Sequence, residues 1–393
     1  MKKLKNLVSR GKNILISIFP QTFKVLKTLK VFSHDHAHYN FQMKTLSSFL
    51  FAICFIGLHA QSTKVSIFRD TALDAHWSPA DENLLCYSVK GKDMYYDIHV
   101  ASPDRKYDVC ITCDHPELPN RHISNPSWHP SGKWITFVVE KKEHPRGSAN
   151  SLPGFGAYCD IWIISIDGKK YFKLVDVPND FDHGVIAPRF SPDGTKFIWT
   201  DRYRRPGIMN AERHFGFRMV KLADFSFGKD SVPAISNVKD LFPGYHSFIE
   251  CYGFSPDGKR IIYCGSMATK SAWTSQLYTM NVDGTEIKQL TDGVPGTGDY
   301  NEHGAYTPDG KRIVWMSNRE NKNKGTDWWI MQTDGTGKKR ISFFNQPGHE
   351  QYKGKAVWSG LPSFSPGGKR FIGGIQKSLI TQEGYIVIVE LIE

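Results

Sequence analysis

The chain has 393 residues, 40% hydrophobic and 23% charged, and this composition excludes a disordered chain, a collagen and a coiled coil. Aromatic residues make up 13%, and 34 Gly and 21 Pro accompany them, which favours many short strands joined by tight turns. The formal charge of +11 is concentrated at the front, because residues 1–60 hold nine Lys and Arg but one acidic residue. The rest of the chain carries only +3, so we expect no nucleic-acid partner.

The first 60 residues are interpreted as a leader. From Met43 the chain reads MKTLSSFLFAICFIGLHAQS, with a lysine, an apolar run and the small residue Ala60 before Gln61. These are the features of a secretory signal peptide, whose apolar run is too short for a stable membrane span. We expect residues 1–42 to be an upstream basic segment outside the mature protein, the alternative being a membrane-associated arm. Residues 43–60 are the predicted signal peptide, and the mature chain is expected to be periplasmic or secreted, without a transmembrane segment.

Internal repetition is the strongest signal in the remaining chain. Six segments, spaced 51 to 64 residues apart, each carry an aromatic residue followed by a turn sequence centred on proline. They are WSPADEN from Trp77, WHPSGK from Trp128, FSPDGTK from Phe190, FSPDGKR from Phe254, YTPDGKR from Tyr306 and FSPGGKR from Phe364. An aromatic residue that ends a strand, a Pro-Asp-Gly turn and a second alternating strand predict a β-hairpin at the start of every unit.

A second hairpin follows in most units, with its turn on Asp-Gly. Clear copies begin at Asp160, Gln276 and Asp327. Less regular turns are expected at Pro103-Asp104-Arg105 and at Ala223-Asp224-Phe225. Four strands in each of six units predict an all-β fold, a six-bladed β-propeller formed by residues 61–393.

The two ends of the repeat region are predicted to share one blade. The sixth unit ends at EGYIVIVELIE, which supplies a third strand but no fourth, whereas residues 63–69 precede the first hairpin and align with fourth strands. The N-terminal strand should therefore complete the last blade and remove an open sheet edge.

The FSPDGKR and MNVDGTEIKQLT motifs resemble the propeller repeat of TolB and of the many secreted TolB-like proteins. The resemblance covers residues 63–393 and implies the propeller fold far more specifically than it implies a function. The α/β domain that precedes the propeller in TolB has no counterpart in this sequence, which argues against a true Tol–Pal role. Related propellers also precede the catalytic domain of prolyl-oligopeptidase-like enzymes, but no G-x-S-x-G motif is present, so we expect no such activity.

Six cysteines follow the predicted signal peptide, an even number that permits disulfides in an exported chain. Cys110 and Cys113 have redox or zinc spacing, but no second CxxC follows, so buried or locally bridged thiols are expected. Cys251 and Cys264 flank one predicted hairpin turn and are candidates to face each other across it.

Polar residues of the fourth-to-first loops are predicted to meet at one end of the central channel, where propellers usually bind ligands. These loops are expected at 114–126, 176–188, 240–251, 292–304 and 345–361. Their candidate residues are His122, Asp182, His183, His246, Glu250, Asp299, Asn301, Glu302, His303, His349 and Glu350. His303 is the strongest single candidate, because three polar residues stand together directly before an inner strand that is expected to begin near Gly304.

Imidazole and carboxylate groups at a channel mouth can bind a divalent metal. No motif requires a cofactor, but His183 and His303 are predicted as ligands for Mn²⁺ or Ca²⁺. The propeller lyases that act on oligogalacturonides use a broadly similar histidine-lined manganese site, although they have seven blades and none of their specific motifs is present. The alternative is that these residues cap turns and hydrogen-bond between blades.

The second-to-third loops add cationic residues to the same rim. Arg202, Arg204 and Arg319 lie in these loops, and guanidinium groups bind carboxylate or sulfate. The sharper hypothesis is an anionic ligand such as a uronate or an acidic peptide, and the alternative is a solvated loop rim.

Two classes of function remain open. The first is a non-catalytic exported protein, expected to be a monomer, that binds a protein or glycan at the channel face. The second is a metal-dependent, polysaccharide lyase-like enzyme acting on acidic oligosaccharides. The predicted ligand-binding residues for either class are His122, His183, Arg202, Arg204, Asn301, Glu302, His303, Arg319 and His349.

Overall fold

The computed structural model describes residues 62–144, 148–203, 217–241, 248–266, 274–293, 298–321, 324–379 and 381–392. Arg204, His246 and the predicted signal peptide with the segment before it lie outside the described residues. Residues 61–393 form one compact unit. Within the described ranges, no helix reaches the length and apolarity that crossing a membrane requires.

The described residues form 25 strands in six antiparallel sheets, and each sheet corresponds to one repeat. The first blade contains β2 (Ala72–Trp77), β3 (Leu85–Lys90), β4 (Tyr96–Ala101) and β5 (Asp108–Cys110). The second contains β6 (Ile123–Trp128), β7 (Trp134–Glu140), β8 (Cys159–Ser165) and β9 (Tyr171–Val175). The third contains β10 (Gly184–Phe190), β11 (Lys196–Tyr203), β12 (Phe217–Phe227) and β13 (Pro233–Leu241).

The fourth blade contains β14 (Ile249–Phe254), β15 (Arg260–Gly265), β16 (Gln276–Asn281) and β17 (Lys288–Gln289). The fifth contains β18 (Asn301–Tyr306), β19 (Arg312–Ser317), β20 (Asp327–Gln332) and β21 (Lys339–Arg340). The sixth contains β22 (Trp358–Ser359), β23 (Ser363–Phe364), β24 (Arg370–Ser378), β25 (Glu383–Ile392) and β1 (Ser62–Asp70). Short 3-10 turns lie at Ser148–Asn150 and Lys229–Ser231.

The predicted six-bladed propeller is therefore confirmed. Within each of the first five blades the strands pair in chain order, so the first strand is innermost and the fourth is outermost. Buried apolar side chains of neighbouring blades pack together; for example, Ile198 of the third blade and Ile261 of the fourth belong to one cluster. The core consequently lies between the blades, and the inner strands surround a central channel.

The repeated turn is fixed by its own polar groups. In the fourth blade the Ser255 hydroxyl donates to Asp257 at 2.5 Å and accepts the Arg260 backbone N–H at 3.0 Å. Gly258 follows with a φ of +71°, a left-handed conformation that a side chain disfavours. The same hydroxyl–aspartate pair recurs at Ser191 and at Thr307, so the motif specifies its turn locally.

Two irregular second turns differ in outcome. The predicted turn at Pro103-Asp104-Arg105 forms, and Arg105 adopts the left-handed φ of +58° that glycine usually supplies. The predicted turn at Ala223-Asp224-Phe225 is wrong, because these residues continue β12. The chain reverses later, where the Gly228 N–H donates to the Val232 carbonyl at 2.8 Å.

The N-terminal strand closes the ring as predicted. β1 pairs antiparallel with β25, and Val65 lies opposite Val389. A register shift between Ile67 and Arg69 leaves Ile67 63% exposed and buries Phe68. Because β1 occupies the fourth position of the last blade, the outer edge of β25 is covered.

The cysteines follow the local-bridge expectation. Cys110 and Cys113 form a disulfide at the end of β5. Cys251 and Cys264 are buried free thiols, so the suggestion that they face each other is wrong. The β14–β15 register pairs Cys264 with Glu250 and Cys251 with Tyr263 instead.

Candidate functional site

The inner strands surround a polar cavity with a volume of about 110 Å³. Every blade contributes to its lining, and the residues used below are Asp74, His76, Asn125, Phe155, Arg189, Phe248, Glu250, Tyr252, Tyr300, Glu302 and His303. Phe155 and Gln382, from second-to-third connections, join the lining. The cavity therefore lies at the end of the channel opposite the Pro-Asp-Gly turns.

Bulges in the inner strands shape this lining. The pairing register shifts in the inner strands of five blades, and in four of them a non-glycine residue has a left-handed φ between 49° and 53°. These residues are Asp74, Asn125, Ala187 and His303, and all four line the cavity. A bulge re-aims a side chain out of the regular alternation, which explains how strand residues reach the channel.

Glu302 on β18 is a buried carboxyl group with one free oxygen. Its Oε2 accepts a 2.8 Å hydrogen bond from the Tyr300 hydroxyl, whereas Oε1 has no partner. Burial, with a smaller contribution from the Glu250 charge, raises the pKa of Glu302 to about 8. Glu302 is therefore mostly protonated at neutral pH and can donate a hydrogen bond into the cavity.

A buried guanidinium group, Arg189, stands in the same cavity. Its Nη1 donates to the Pro188 carbonyl at 2.7 Å, and its Nε has no partner. Asp74 also lines the cavity and accepts a 3.1 Å hydrogen bond from the Asn125 amide. Burial raises the pKa of Asp74 to about 6, and the Arg189 charge opposes this shift. The Asp74 carboxyl group therefore balances part of the Arg189 charge, and the Arg189 Nε–H remains available to donate a hydrogen bond to a ligand.

Two imidazoles in the lining are neutral. Burial lowers the pKa of His303 to about 4, and burial together with the Arg189 charge lowers that of His76. The His303 ring lies 5.3 Å from the Tyr252 ring, and its Nδ1 has no hydrogen-bond partner. A neutral imidazole nitrogen can accept or donate according to its tautomer, so His303 can adapt to either kind of ligand group.

An ion pair holds one wall of the cavity. Arg218, which is 1% exposed, donates through Nη1 to Glu250 at 2.9 Å and through Nη2 to the Gly154 carbonyl at 3.0 Å. Its guanidinium carbon also lies 4.9 Å from the centre of the Phe248 ring. Arg218 and Glu250 neutralise each other's charge, and the hydrogen bond from Arg218 to Gly154 holds the 153–155 segment beside the cavity.

The structure brings two of the predicted ligand-binding residues, Glu302 and His303, into this cavity, together with the loop candidate Glu250. Both belong to β18, which begins at Asn301 and not near Gly304 as expected. The side chain of Asn301 forms hydrogen bonds within the wall of the propeller. Its amide nitrogen donates to Gln276 at 3.1 Å, and its oxygen accepts from the Trp315 indole N–H at 3.0 Å. It therefore links blades four and five.

Two further predicted histidines lie outside the cavity lining. His122 is buried with its ring 5.1 Å from that of Tyr95, and its backbone N–H donates to Glu140 at 3.2 Å. His183 is partly exposed, and its Nδ1 lies 2.7 Å from Asp180. The predicted metal pair His183 and His303 thus has one member in the cavity, and the metal assignment stays a prediction.

The remaining predicted residues are also outside the lining. Arg202 is buried with its guanidinium 4.3 Å from the Phe181 ring centre. Arg319 pairs with Asp292, and His349 stacks on Phe343 at 4.6 Å. Ligand-binding roles for these residues stay predictions.

Three cavity residues, Asp74, Asn125 and Arg189, were not singled out for this site from the sequence, and neither was Arg218, which hydrogen-bonds to the lining residues Glu250 and Gly154. A signal for three of them was available in the repeats. Asp74 and Asn125 stand three residues before the aromatic residue of their repeats, as His303 does, and Arg189 stands one residue before it. Aligning the repeats on that aromatic residue places polar side chains at equivalent inner positions.

Comparison with known proteins gives partial matches. No family model matches the chain. It is 39% identical over 185 residues to dipeptidyl-peptidase 5 of Porphyromonas gingivalis, a match that covers 47% of this chain and 23% of that protein. The chain spans about a quarter of the length of the peptidase-named curated relatives it matches.

Solved structures also match the chain at low sequence identity. TolB from Acinetobacter baumannii is 17% identical with a TM-score of 0.48, over 83% of this chain and 64% of TolB. An oligogalacturonate lyase from Vibrio parahaemolyticus is 11% identical with a TM-score of 0.44, over 84% of this chain and 97% of the lyase. The six blades themselves show the fold that the TolB-like resemblance implied.

Proposed function

We propose that this protein is a non-catalytic binding protein that takes a polar group of a protein or glycan ligand into its central cavity. The observation that supports this is a set of four buried polar atoms without hydrogen-bond partners, contributed by three different blades. They are Asn125 Oδ1, Arg189 Nε, Glu302 Oε1 and His303 Nδ1. Each unpaired buried atom costs about 1–3 kcal/mol, so a ligand that pairs with them regains that free energy.

The chemistry of the four groups defines what fits. Arg189 offers a charged donor, protonated Glu302 a neutral donor, and Asn125 an acceptor, while His303 can serve as either. Tyr252 and Phe155 add aromatic surface to the same lining. A ligand with hydroxyl, carboxylate or amide groups on an otherwise compact unit satisfies this set, and both sugars and peptide ends have that composition.

Export is the second part of the proposal. The Met43–Ala60 segment has the features of a signal peptide, and the Cys110–Cys113 disulfide suits an oxidising compartment. Mature protein isolated from its host is expected to begin at Gln61. Recovery of an intact chain that retains residues 1–42 would contradict this part.

The binding test compares His303→Ala with the wild type. Alanine is accommodated at an equivalent bulge, since Ala187 has a φ of 53°, so the change removes the imidazole without requiring a new backbone conformation. Calorimetric titration with oligogalacturonates and with short acidic peptides should identify a binder. Affinity for that binder should fall at least tenfold in His303→Ala. Lys259→Ala, in a turn at the opposite end of the channel, is the matched control and should bind normally.

The same titrations distinguish the lyase alternative. Affinity that is unchanged in His303→Ala would place the ligand outside the cavity and contradict the proposal. Formation of unsaturated sugar products after loading with Mn²⁺, lost in His303→Ala, would instead support a metal-dependent lyase. No contact among the described residues favours the lyase over the binding protein.

A further inference from the structure

A second cluster of reactive side chains lies at the outer end of the first blade, away from the cavity. It consists of the Cys110–Cys113 disulfide and of His99, which lies beside the sulfur atoms. One ligand atom from each of these three residues lies within 4.8 Å of the other two. Cys113 is exposed and Cys110 partly exposed, so reagents can reach the disulfide.

Strand pairing places these groups on one face. His99 of β4 lies directly opposite Cys110 of β5, and Tyr87 of β3 lies opposite His99. Asp108 stands two residues before Cys110 and therefore shares its face. The approach of imidazole and sulfur is thus a consequence of the sheet register and does not depend on the disulfide.

The orientation of His99 is held by a carboxylate. Asp108 lies 2.9 Å from His99 Nδ1 and also accepts hydrogen bonds from Tyr87 at 2.8 Å and Arg69 at 2.6 Å. With Nδ1 occupied, the nitrogen that His99 has left for another partner is Nε2. A histidine fixed by a carboxylate through one nitrogen is the usual arrangement of a metal-binding imidazole.

The loop that carries the cysteines is fixed by contacts other than the disulfide. The buried Thr112 hydroxyl accepts the Ile98 backbone N–H at 2.9 Å and donates to Asp97 at 2.9 Å. The Cys113 backbone N–H lies 3.0 Å from the Cys110 sulfur, where it would stabilise a thiolate. Both sulfurs should therefore remain near His99 after the disulfide is reduced.

We propose that reduction of this disulfide creates a zinc site formed by Cys110, Cys113 and His99. A dithiol reductant supplies two electrons and two protons, so the S–S bond breaks, two thiols form and the reductant becomes a disulfide. Zn²⁺ then binds both sulfurs as thiolates, and the two thiol protons pass to solvent. Three protein ligands leave the fourth tetrahedral position for water or a partner's side chain.

The geometry and chemistry agree with zinc in particular. Thiolate and imidazole are the ligands that zinc prefers, and a tetrahedral ion with Zn–S bonds of about 2.3 Å brings its ligand atoms within about 4 Å of one another. Small side-chain rotations from the present arrangement reach that spacing once the sulfurs separate. The oxidised protein lacks two of the three ligands, so the disulfide acts as a switch on the site. This inference does not depend on the ligand proposed for the central cavity.

The test is a Zn²⁺ titration of the full protein against a chromogenic chelator, before and after reduction by a dithiol. Reduced wild type should bind one additional Zn²⁺ per chain, at least 100-fold more tightly than the oxidised protein does. His99→Ala should weaken this binding about tenfold or more. His115→Ala, two residues after Cys113, removes a neighbouring histidine and should leave the affinity unchanged.

A second readout avoids reliance on variants that fail to fold. In the reduced wild type, Zn²⁺ should protect Cys110 and Cys113 from iodoacetamide, as measured by peptide mass spectrometry. Equal zinc binding by the oxidised and reduced proteins would overturn the proposal, as would unprotected thiols or equal losses in the two histidine variants. A purely structural disulfide is the conclusion in each of those cases.

Discussion

Carboxyl side chains occur at both ends of the channel, but their environments shift their pKa values in opposite directions. At the turn end, Asp193, Asp257 and Asp309 are exposed, and hydrogen bonds from neighbouring hydroxyl and N–H groups lower the pKa of each carboxyl. At the cavity end, burial raises the pKa of Asp74 and of Glu302. The turn carboxylates therefore stabilise the fold, whereas the cavity carboxyl groups are retained at a cost in stability.

This contrast distinguishes the polar side chains that stabilise the repeat from those that are available to a ligand. A turn aspartate is satisfied by groups two residues away, such as the Ser255 hydroxyl and the Lys259 N–H for Asp257. The unpaired cavity atoms have no such local partner. Unpaired atoms that also line the cavity, such as those of Arg189 and Glu302, are the ones a ligand can reach and pair with.

The largest loss of stability is expected when β1, the strand that closes the ring, is weakened. Phe68→Ala removes a buried side chain of β1 and should lower the free energy of unfolding by about 3–5 kcal/mol. Ile67→Ala, at the adjacent exposed position, should change it by less than about 0.5 kcal/mol. Urea unfolding of the two variants measures this difference, and equal effects would mean that β1 does not close the last blade.

A cavity carboxyl group should destabilise the protein as pH rises. Since the pKa of Glu302 is raised in the folded state, its proton favours folding near pH 4.5, and this contribution is lost as pH increases through about 8. Glu302→Gln keeps a neutral group and should be more stable than wild type at pH 9, on the order of 3 kcal/mol, with little difference at pH 5. Urea unfolding at the two pH values tests this, and a difference independent of pH would contradict it.

A turn carboxylate should show the opposite dependence and a smaller effect. Because hydrogen bonds lower the pKa of Asp257 in the folded state, its contribution is present above its ordinary pKa of 3.8 and is lost as pH falls below that value. Asp257→Asn should lower stability at pH 7 by about 1 kcal/mol, and this deficit should shrink at pH 3. Asp81→Asn, at the first and divergent turn, provides a comparison. A deficit that grows at low pH would contradict the assignment.

The sequence determined the fold because the information for it is local. Each proline-centred turn is completed by hydrogen bonds to nearby residues in the chain, so six motifs predicted six hairpins, and the incomplete last unit predicted the closing strand. The turn expected at Ala223-Asp224-Phe225 failed for the same reason, since no Asp-Gly pair fixes it and β12 continues to Phe227.

The site was decided by tertiary structure. Asn125, Arg189, Glu302 and His303 come from three blades and meet only when the ring closes, and left-handed bulges at Asn125 and His303 help to direct those side chains into the channel. Loop position predicted Glu302 and His303, with His303 as the strongest candidate, but it also predicted His122 and His183, and these lie outside the cavity lining. Whether a polar residue near an inner strand enters the channel or packs between blades depends on the register of its bulge, which local sequence alone did not specify.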